Sequence, residues 1–275
     1  MNTAQDIEIR PRHGLLNLDY SGVWRYRELM WTLAMRDVRL RYKQAALGIA
    51  WAVIQPAFAV LIFTLIFGRF AKIPTGGTPY PLFAFAAILP WTYFSEALRR
   101  SATSLVTDGE LVRKVYFPRL VMPLSGVISP AVDFLFAFLV FLCMLVWYHM
   151  GLSWKVVTLP LFLGYALLAA LSIGLWLAPL NVRFPDVTHT MPFLIQVWMY
   201  ASPIVYSLDI VPEQWRTLFS LNPMVGVIEG FRWALLDKPS PDWHVIGVGS
   251  AVMVAMLLGG LAYFRRAEST LADVI

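Results

Sequence analysis

Four basic side chains fall within the eight-residue segment RDVRLRYK: Arg36, Arg39, Arg41 and Lys43. Arginine and lysine at this density bind phosphate groups, because their N–H donors match the charge of phosphate oxygens. Nucleic acid, anionic lipid and a lipid-linked substrate all present such phosphates. The segment that follows, QAALGIAWAVIQP, is almost wholly apolar. Because the basic run leads directly into an apolar helix, the pattern favours a membrane surface over nucleic acid.

The composition is typical of an integral membrane protein. Of the 275 residues, 59% are hydrophobic and 14% are charged, whereas a soluble domain carries about 25% charged residues. The four histidines are scattered and the single cysteine, Cys143, lies in an apolar run, so neither a metal site nor an intrachain disulfide is predicted. The N-terminal residues lack an apolar stretch behind a basic start, and no cleavable signal peptide is expected.

Six apolar segments are long enough to cross a hydrocarbon core, which takes about 20 helical residues. They cover residues 47–68, 81–98, 121–148, 156–180, 191–207 and 244–264. The stretch 208–243 is semi-apolar and rich in Pro and Trp, and its apolar piece is too short to span, so short re-entrant helices are expected there. The predicted fold is therefore an all-α integral membrane protein with six transmembrane helices and short re-entrant helices before the last.

The distribution of Lys and Arg predicts the orientation. With the N-terminus in the cytoplasm, 16 of the 22 basic residues fall on cytoplasmic segments, as the positive-inside rule requires. We therefore expect three parts: a cytoplasmic N-terminal segment, residues 1–46; a transmembrane domain, residues 47–264; and a cytoplasmic tail, residues 265–275.

The basic segment itself has helical periodicity. From Arg25 onward, charged and polar residues recur at three- and four-residue steps, and apolar residues occupy the other faces. This predicts an amphipathic helix in the headgroup plane. Two interpretations remain open: the cations only set the topology, or Arg36, Arg39, Arg41 and Lys43 contact a lipid-linked anionic substrate.

Six segments together carry a family resemblance. They are RDVRLRYKQAALGIAWAVIQPAFAVLIFTLIFGRFAKIP, PYPLFAFAAILPWTYFSEAL, LVRKVYFPRLVMPL, LNVRFPDV, ASPIVYSL and LNPMVGVIEGFRWALL. Over about residues 30–237, the chain resembles permease subunits of type-2 ABC transporters that export lipid-linked polysaccharides, the O-antigen exporters above all. Pro185 departs from the pattern, because a basic or polar residue is expected there. The resemblance implies a homodimer in the bacterial inner membrane that works with two copies of a separate ATPase.

The sequence itself agrees that energy comes from another chain. It contains no G-x-x-x-x-G-K-[ST] loop, which would cradle ATP phosphates, so ATP and Mg²⁺ belong to the partner and no cofactor is expected here. The connection 99–120 is the candidate docking loop, with Thr107 or Asp108 capping a short helix that starts near Gly109. The resemblance makes this the coupling helix, whose contact residues would be Glu110, Arg113, Lys114, Tyr116 and Arg119. The alternative is an ordinary positive-inside loop.

Aromatic residues suggest a path for sugars. The chain has 18 Phe, 11 Tyr and 11 Trp, and aromatic rings allow sliding contact with sugar rings, because conduction needs binding weak enough to release. The candidate channel residues are Trp51, Gln55, Phe58, Phe85, Trp91, Tyr93, Gln196 and Tyr200. For each one alone, packing or an interfacial belt is the competing interpretation.

Ionisable residues inside predicted spans are functional candidates because their insertion is costly. Glu96 lies near the inner end of the second span, where it is expected either to pair with the nearby Arg99 and Arg100 or to snorkel to the interface. Asp133 has no partner evident from the sequence, and it either caps a helix broken at Pro130 or faces a dimer interface or wet cavity.

The predicted re-entrant piece contributes one more charged pair. Glu229 and Arg232 have the spacing of an intrahelical ion pair, and the resemblance places them at the extracytoplasmic gate. Nearby, Gly226 and Gly230 form a small-xxx-small pattern that permits close packing.

The leading hypothesis is export of a polyprenyl-diphosphate-linked polysaccharide by a permease that is not itself an enzyme. Membrane lipids are expected partners and nucleic acid is not. The alternatives are a permease for a small hydrophobic drug or lipid, a teichoic-acid exporter, and a membrane-bound sugar transferase. A sugar transferase would need a carboxylate or histidine cluster at one interface, and the sequence offers none.

Overall fold

Helices account for all the regular structure in the part of the chain that the computed structural model describes, residues 24–43 and 50–274. The α-helices, numbered in chain order, are α1 (Arg27–Lys43), α2 (Ala50–Phe63), α3 (Tyr80–Thr107), α4 (Gly109–Lys114), α5 (Val121–Ile128), α6 (Ala131–Trp147), α7 (Leu159–Arg183), α8 (Asp186–Tyr200), α9 (Glu213–Ser220), α10 (Pro223–Leu236) and α11 (Trp243–Val274). A π-helical segment, Thr64–Phe70, extends α2, and short 3₁₀ turns cover Trp154–Thr158 and Leu208–Ile210.

Helix α3 lies at the centre of the bundle and packs most extensively against α7. Small residues make the close approach of these helices feasible, as is common between helices in membranes. Nine alanines of the two helices are completely buried: Ala84, Ala86, Ala87, Ala97 and Ala102 on α3, and Ala166, Ala169, Ala170 and Ala178 on α7. Gly174 of α7 lies so close to Ser101 that a Cβ there would overlap the serine side chain. The α3–α7 pair therefore forms the rigid centre around which the other helices are arranged.

Four helical segments within the described residues are long and apolar enough to cross a membrane: Val53–Phe70, Val121–Trp147, Trp154–Arg183 and Trp243–Glu268. They correspond to the first, third, fourth and sixth predicted spans. The first residues of predicted span 47–68, as well as residues 1–23 of the predicted N-terminal segment and Ile275 of the predicted tail, lie outside the described part of the chain.

The second and fifth predicted spans differ from these four. Span 81–98 lies within α3, which has 28 residues but carries Glu96, Arg99 and Arg100 towards its end. Span 191–207 is only partly helical, because α8 ends at Tyr200 after 15 residues, a length of about 22 Å at 1.5 Å per residue. The described residues thus establish an all-helical chain with four spans of membrane length, and six spans remain a prediction.

The third span is broken as its proline suggested. Helix α5 ends at Ile128 and α6 begins at Ala131, with Pro130 between them because its ring cannot continue the hydrogen-bond ladder of the preceding helix. Asp133 therefore lies in the first turn of α6.

Short helices α9 and α10 occupy the segment that precedes the last long helix, as predicted. The side chain of Asn222 caps α10 by accepting a hydrogen bond from Met224 N at 3.0 Å. A Cβ on Gly230 would overlap the ring of Phe162, so the close packing expected from the small residues of α10 is observed.

Helix α1 contacts α5, and its Leu33 and Ala34 are buried, while Trp31 and Leu40 are exposed. The helix exists where the periodicity predicts it. Its amphipathic character and its position in a headgroup plane stay predictions.

Candidate functional site

A cleft of about 540 Å³ opens where α1, α2, α3 and α6 meet. Arg41 and Tyr42 line it from α1, Trp51, Gln55 and Pro56 from α2, Thr92, Tyr93, Ser95, Glu96, Arg99 and Arg100 from α3, and Pro130, Asp133, Phe134 and Ala137 from the junction of α5 and α6 and from α6. Charged, amide and aromatic side chains thus share one concave surface. Such convergence of polar groups in a cleft of 300–1,000 Å³ is typical of ligand sites.

Asp133 finds its partners on α1. Its carboxylate forms an ion pair with Arg41 and accepts a hydrogen bond from the hydroxyl of Tyr42. Arg41 also donates to Ser129 Oγ at 2.9 Å, while its Nε is buried with no hydrogen-bond acceptor among the described residues. The carboxylate that had no evident partner in the sequence therefore joins the basic helix to the broken third span.

Glu96 binds two arginines where α3 lines the cleft, as its spacing predicts. Arg99 donates to the two carboxylate oxygens at 2.9 and 2.7 Å, and Arg100 Nε donates to Oε1 at 2.7 Å. Arg100 is also 4.0 Å from Asp37 of α1. The shared carboxylate holds both guanidinium groups in fixed positions at the cleft wall.

The four cations of the basic segment do not form one patch. Arg36 donates to both carboxylate oxygens of Asp108, at 2.7 and 2.8 Å, and to Asp37 at 3.0 Å. The hydrogen bond with Asp108 raises the pKa of the Arg36 guanidinium above its ordinary value, although partial burial opposes this. Arg36 and Arg41 are thus paired with carboxylates inside the fold, whereas Arg39 and Lys43 are exposed.

The predicted side-chain cap of the short helix α4 is wrong. Helix α4 begins at Gly109 as predicted, but the side chain of Asp108 makes no capping hydrogen bond. Its carboxylate accepts from Arg36 instead, since a charged guanidinium is a stronger partner than a backbone amide. Asp108 therefore connects α1 to the loop 99–120.

The predicted docking residues form one exposed surface with a single exception. Glu110, Arg113, Lys114 and Tyr116 are all exposed, and Lys114 pairs with Glu110 at 2.7 Å. Arg119 is instead half-buried, and its guanidinium donates to the backbone oxygen of Glu268 at 2.7 Å. Arg119 thus anchors the loop to α11.

The predicted channel residues fall into two groups. Trp51, Gln55, Phe58, Gln196 and Tyr200 are exposed on α2 and α8, while Phe85, Trp91 and Tyr93 are buried in α3. The ring of Phe85 packs edge-on against Phe141, and the Tyr93 hydroxyl donates to Val127 O at 2.9 Å. Within one chain, the eight residues therefore do not form a continuous surface, although Trp51, Gln55 and Tyr93 meet in the cleft.

Arg232 and Glu229 form the predicted intrahelical ion pair, at 3.1 Å. The other contacts of Arg232, whose side chain is only 2% exposed, had no signal in the sequence. It donates to the backbone oxygens of Ile204 at 2.8 Å and Tyr206 at 3.0 Å, and its guanidinium lies 3.7 Å from the ring centre of Phe83. Arg232 thus fixes the non-helical turn that follows α8 against α3.

Comparisons with known proteins cover the segments that form these sites. The model of the ABC-2 type transporter family matches residues 28–236, which include the cleft, the loop 99–120 and Arg232. The O-antigen export system permease protein RfbA of Myxococcus xanthus is 28% identical over 257 residues, covering 92% of this chain and 97% of that protein. A protein of the same description from Klebsiella pneumoniae is 25% identical, with 90% and 95% covered.

A relative named for a different polymer aligns over nearly the same length. The polysialic acid transport protein KpsM of Escherichia coli is 26% identical over 244 residues, covering 87% of this chain and 93% of that protein. The family match extends from α1 to the end of α10, so it includes every predicted site residue. On this evidence, the chain belongs to the ABC-2 type transporter family.

Proposed function

We propose that this chain is the membrane permease subunit of an ATP-driven exporter that moves a polyprenyl-diphosphate-linked polysaccharide, of the O-antigen kind, out of the cytoplasm. The observation that carries the proposal is the alignment of this chain, over about nine-tenths of its length, with relatives described as O-antigen export permeases and a polysialic acid transport protein. Both descriptions name a saccharide polymer as the cargo. The exposed docking surface and the polar cleft supply the features that such a permease requires.

The proposed topology has six spans in the bacterial inner membrane, with both termini in the cytoplasm. The four spans of membrane length support it, as does the excess of Lys and Arg on the segments assigned to the cytoplasm. The second span is then α3, whose 28 residues reach about 42 Å, with the charged end at the cytoplasmic interface. The fifth is α8 together with the turn after it.

Two copies of a separate ATPase would supply the energy, and they would bind the ATP and Mg²⁺. The surface proposed to receive each ATPase is the one formed by Glu110, Arg113, Lys114 and Tyr116, because these side chains project from the loop 99–120 into solvent. Arg119 holds the base of the same loop through Glu268, so force applied to the loop would reach α11.

A homodimer would place the exposed faces of α2 and α8 around a common path. Trp51, Phe58 and Tyr200 each expose more than half of their side-chain surface in one chain, and a second copy is the partner that would enclose them. In this arrangement the buried rings of Phe85, Trp91 and Tyr93 on α3 would not touch the polymer and would instead pack beneath the residues that line the path. Glu229 and Arg232 would close the extracytoplasmic end through their hold on the turn after α8.

Deletion of the gene with plasmid complementation tests the proposal. We expect the deletion strain to lose surface polysaccharide and to accumulate lipid-linked polymer in the cytoplasm, and we expect the tagged chain to copurify with an ATPase. Unchanged surface polysaccharide, or a complemented strain that instead gains drug efflux, would contradict the proposal.

A further inference from the structure

We infer that the cleft between α1, α2, α3 and α6 binds the junction of the substrate, namely the diphosphate together with the first sugar attached to it. The inference rests on the proposed function, but it adds a defined site and assigns each wall of that site to one part of the ligand. The exposed cations of the basic segment, Arg39 and Lys43, are not needed for it.

One wall of the cleft is built for phosphate. It is formed by Arg41 of α1 and by Arg99 and Arg100 of α3, and arginine binds phosphate through parallel charge-assisted hydrogen bonds. The Nε of Arg41 is buried with no acceptor among the described residues. Three guanidinium groups around one concave surface fit a diphosphate, whose charge is spread over several oxygens.

The wall that α2 forms suits a sugar ring. Trp51 and Gln55 are four residues apart on α2, so they share one face of that helix. Trp51 offers an apolar ring face, 52% exposed, to the C–H face of a sugar, while the amide of Gln55 donates and accepts hydrogen bonds with hydroxyls. Both side chains are uncharged, so neither would favour the binding of a phosphate group on its own.

The volume and the surroundings of the cleft set the limits of the ligand. About 540 Å³ is within the usual range for a small ligand, which leaves no room for a polymer or a polyprenyl chain. Phe58, Leu61 and Ile62 continue the exposed face of α2 beyond Trp51, so the lipid tail can leave the cleft along an apolar surface. Only the head of the substrate is enclosed.

The carboxylates in the cleft fix the positions of the arginines and leave their side chains accessible to a ligand. Asp133 pairs with Arg41, and Glu96 pairs with Arg99 and Arg100. All five side chains remain partly exposed, and ion pairs of this kind add little to stability. A diphosphate that takes over Arg41 leaves Asp133 with the hydrogen bond from Tyr42 and able to accept another from a sugar hydroxyl, so the carboxylate keeps hydrogen-bond donors.

Binding to the purified full chain in nanodiscs tests the site. The probes are farnesyl diphosphate carrying one sugar, farnesyl diphosphate alone, and the octyl glycoside of the same sugar, each titrated in phosphatidylcholine discs. We expect the sugar-bearing diphosphate to bind at least about tenfold more tightly than either partial probe, because each half contributes its own contacts.

Single substitutions then separate the two walls. Arg41→Gln and Arg100→Gln should weaken both diphosphate probes at least about tenfold, which is the loss expected for one charged hydrogen-bonding group. Arg100→Lys keeps the charge and should recover part of that loss, which excludes a simple folding defect. Trp51→Ala should weaken only the probes that carry a sugar. Arg69→Gln is the matched control, because Arg69 is an exposed cation at the far end of the α2 extension.

Three results would overturn the inference. The first is the absence of any sugar contact, seen either as equal affinity for the two diphosphate probes or as a Trp51→Ala variant that binds all probes normally. The second is an effect of Arg100→Gln no larger than that of Arg69→Gln. The third is full competition by phosphatidylglycerol in the disc, which would make the cleft a general site for anionic lipid headgroups. Each of these leaves the export test unaffected, so failure of the site is distinguishable from failure of the proposed function.

Discussion

Arg36 donates hydrogen bonds to both carboxylate oxygens of Asp108, which is 72 residues further along the chain, at 2.7 and 2.8 Å. The contact joins the basic helix α1 to the residue that immediately precedes α4. Helix α1 also supplies Arg41 to the cleft, and α4 carries Glu110 and Lys114 of the docking surface. The Arg36–Asp108 pair is therefore the direct connection between the part of the chain proposed to receive the ATPase and the part proposed to bind substrate.

We predict that Arg36→Gln and Asp108→Asn each lower the rate of polysaccharide export about fivefold or more, the size of a modest coupling free energy between two sites. The exchange Arg36→Asp with Asp108→Arg should restore much of the rate. The pair is partly exposed, so its loss should change the stability by about 1 kcal/mol or less. Export rate and thermal unfolding are measured together, and a parallel fall in both would refute a coupling role.

The sequence predicted contacts between neighbours along one helix and missed those between helices. Glu96 with Arg99 and Glu229 with Arg232 are three residues apart, a spacing that makes them neighbours on any α-helix. The pairs of Arg36 with Asp108 and Arg41 with Asp133 depend on how α1 packs, which no periodicity encodes.

Apolar runs in the sequence likewise predicted where the long helices lie, but they predicted the ends of the helices less well. Apolar runs located the four long spans, but the fifth run continued to residue 207 whereas α8 ends at Tyr200. The polypeptide turns after Tyr200, and buried Arg232 donates hydrogen bonds to the backbone oxygens that the turn leaves without helical partners. Hydropathy contains no information about such a contact.

Tyr116 is predicted to be an anchor for the ATPase. It is 75% exposed, and exposed aromatic residues often dominate the energy of an interface once they are buried by a partner. Tyr116→Ala should weaken copurification of the ATPase by about 30-fold in affinity, equivalent to about 2 kcal/mol. Tyr148→Ala is the control, because Tyr148 is also exposed but lies in the connection assigned to the opposite side. Equal losses in the two variants would remove the docking role of Tyr116.

Packing between α3 and α7 is predicted to tolerate no added methyl group at Gly174. Gly174→Ala would place a Cβ onto the side chain of Ser101 and should destabilise the chain by about 1–3 kcal/mol, as overpacking does. Ser101→Gly in the same chain should relieve part of that cost. Gly164→Ala on the same helix meets nothing within 4 Å, so it should be neutral or stabilising. Thermal unfolding of the three variants and the unmodified chain is measured in detergent, and destabilisation by Gly164→Ala equal to that by Gly174→Ala would contradict the packing argument.

Arg232 is predicted to be the most sensitive charged residue for stability among those described. Its guanidinium is buried against Phe83 and binds Glu229 and two backbone oxygens. Arg232→Gln would leave the Glu229 carboxylate without its cation, which typically costs about 3–5 kcal/mol for a buried pair.

Glu229→Gln is the informative partner variant. It removes one carboxylate but keeps the two hydrogen bonds from Arg232 to the turn after α8, so its cost should be clearly smaller than that of Arg232→Gln. Combining Arg232→Met with Glu229→Gln should recover only part of the stability, because the backbone oxygens of Ile204 and Tyr206 still lose their donor and buried acceptors without partners are costly. The melting temperatures of the three variants in detergent provide the measurement. If the double variant were as stable as the unmodified chain, the hold on the turn would contribute nothing, and Arg232 would serve only to neutralise Glu229.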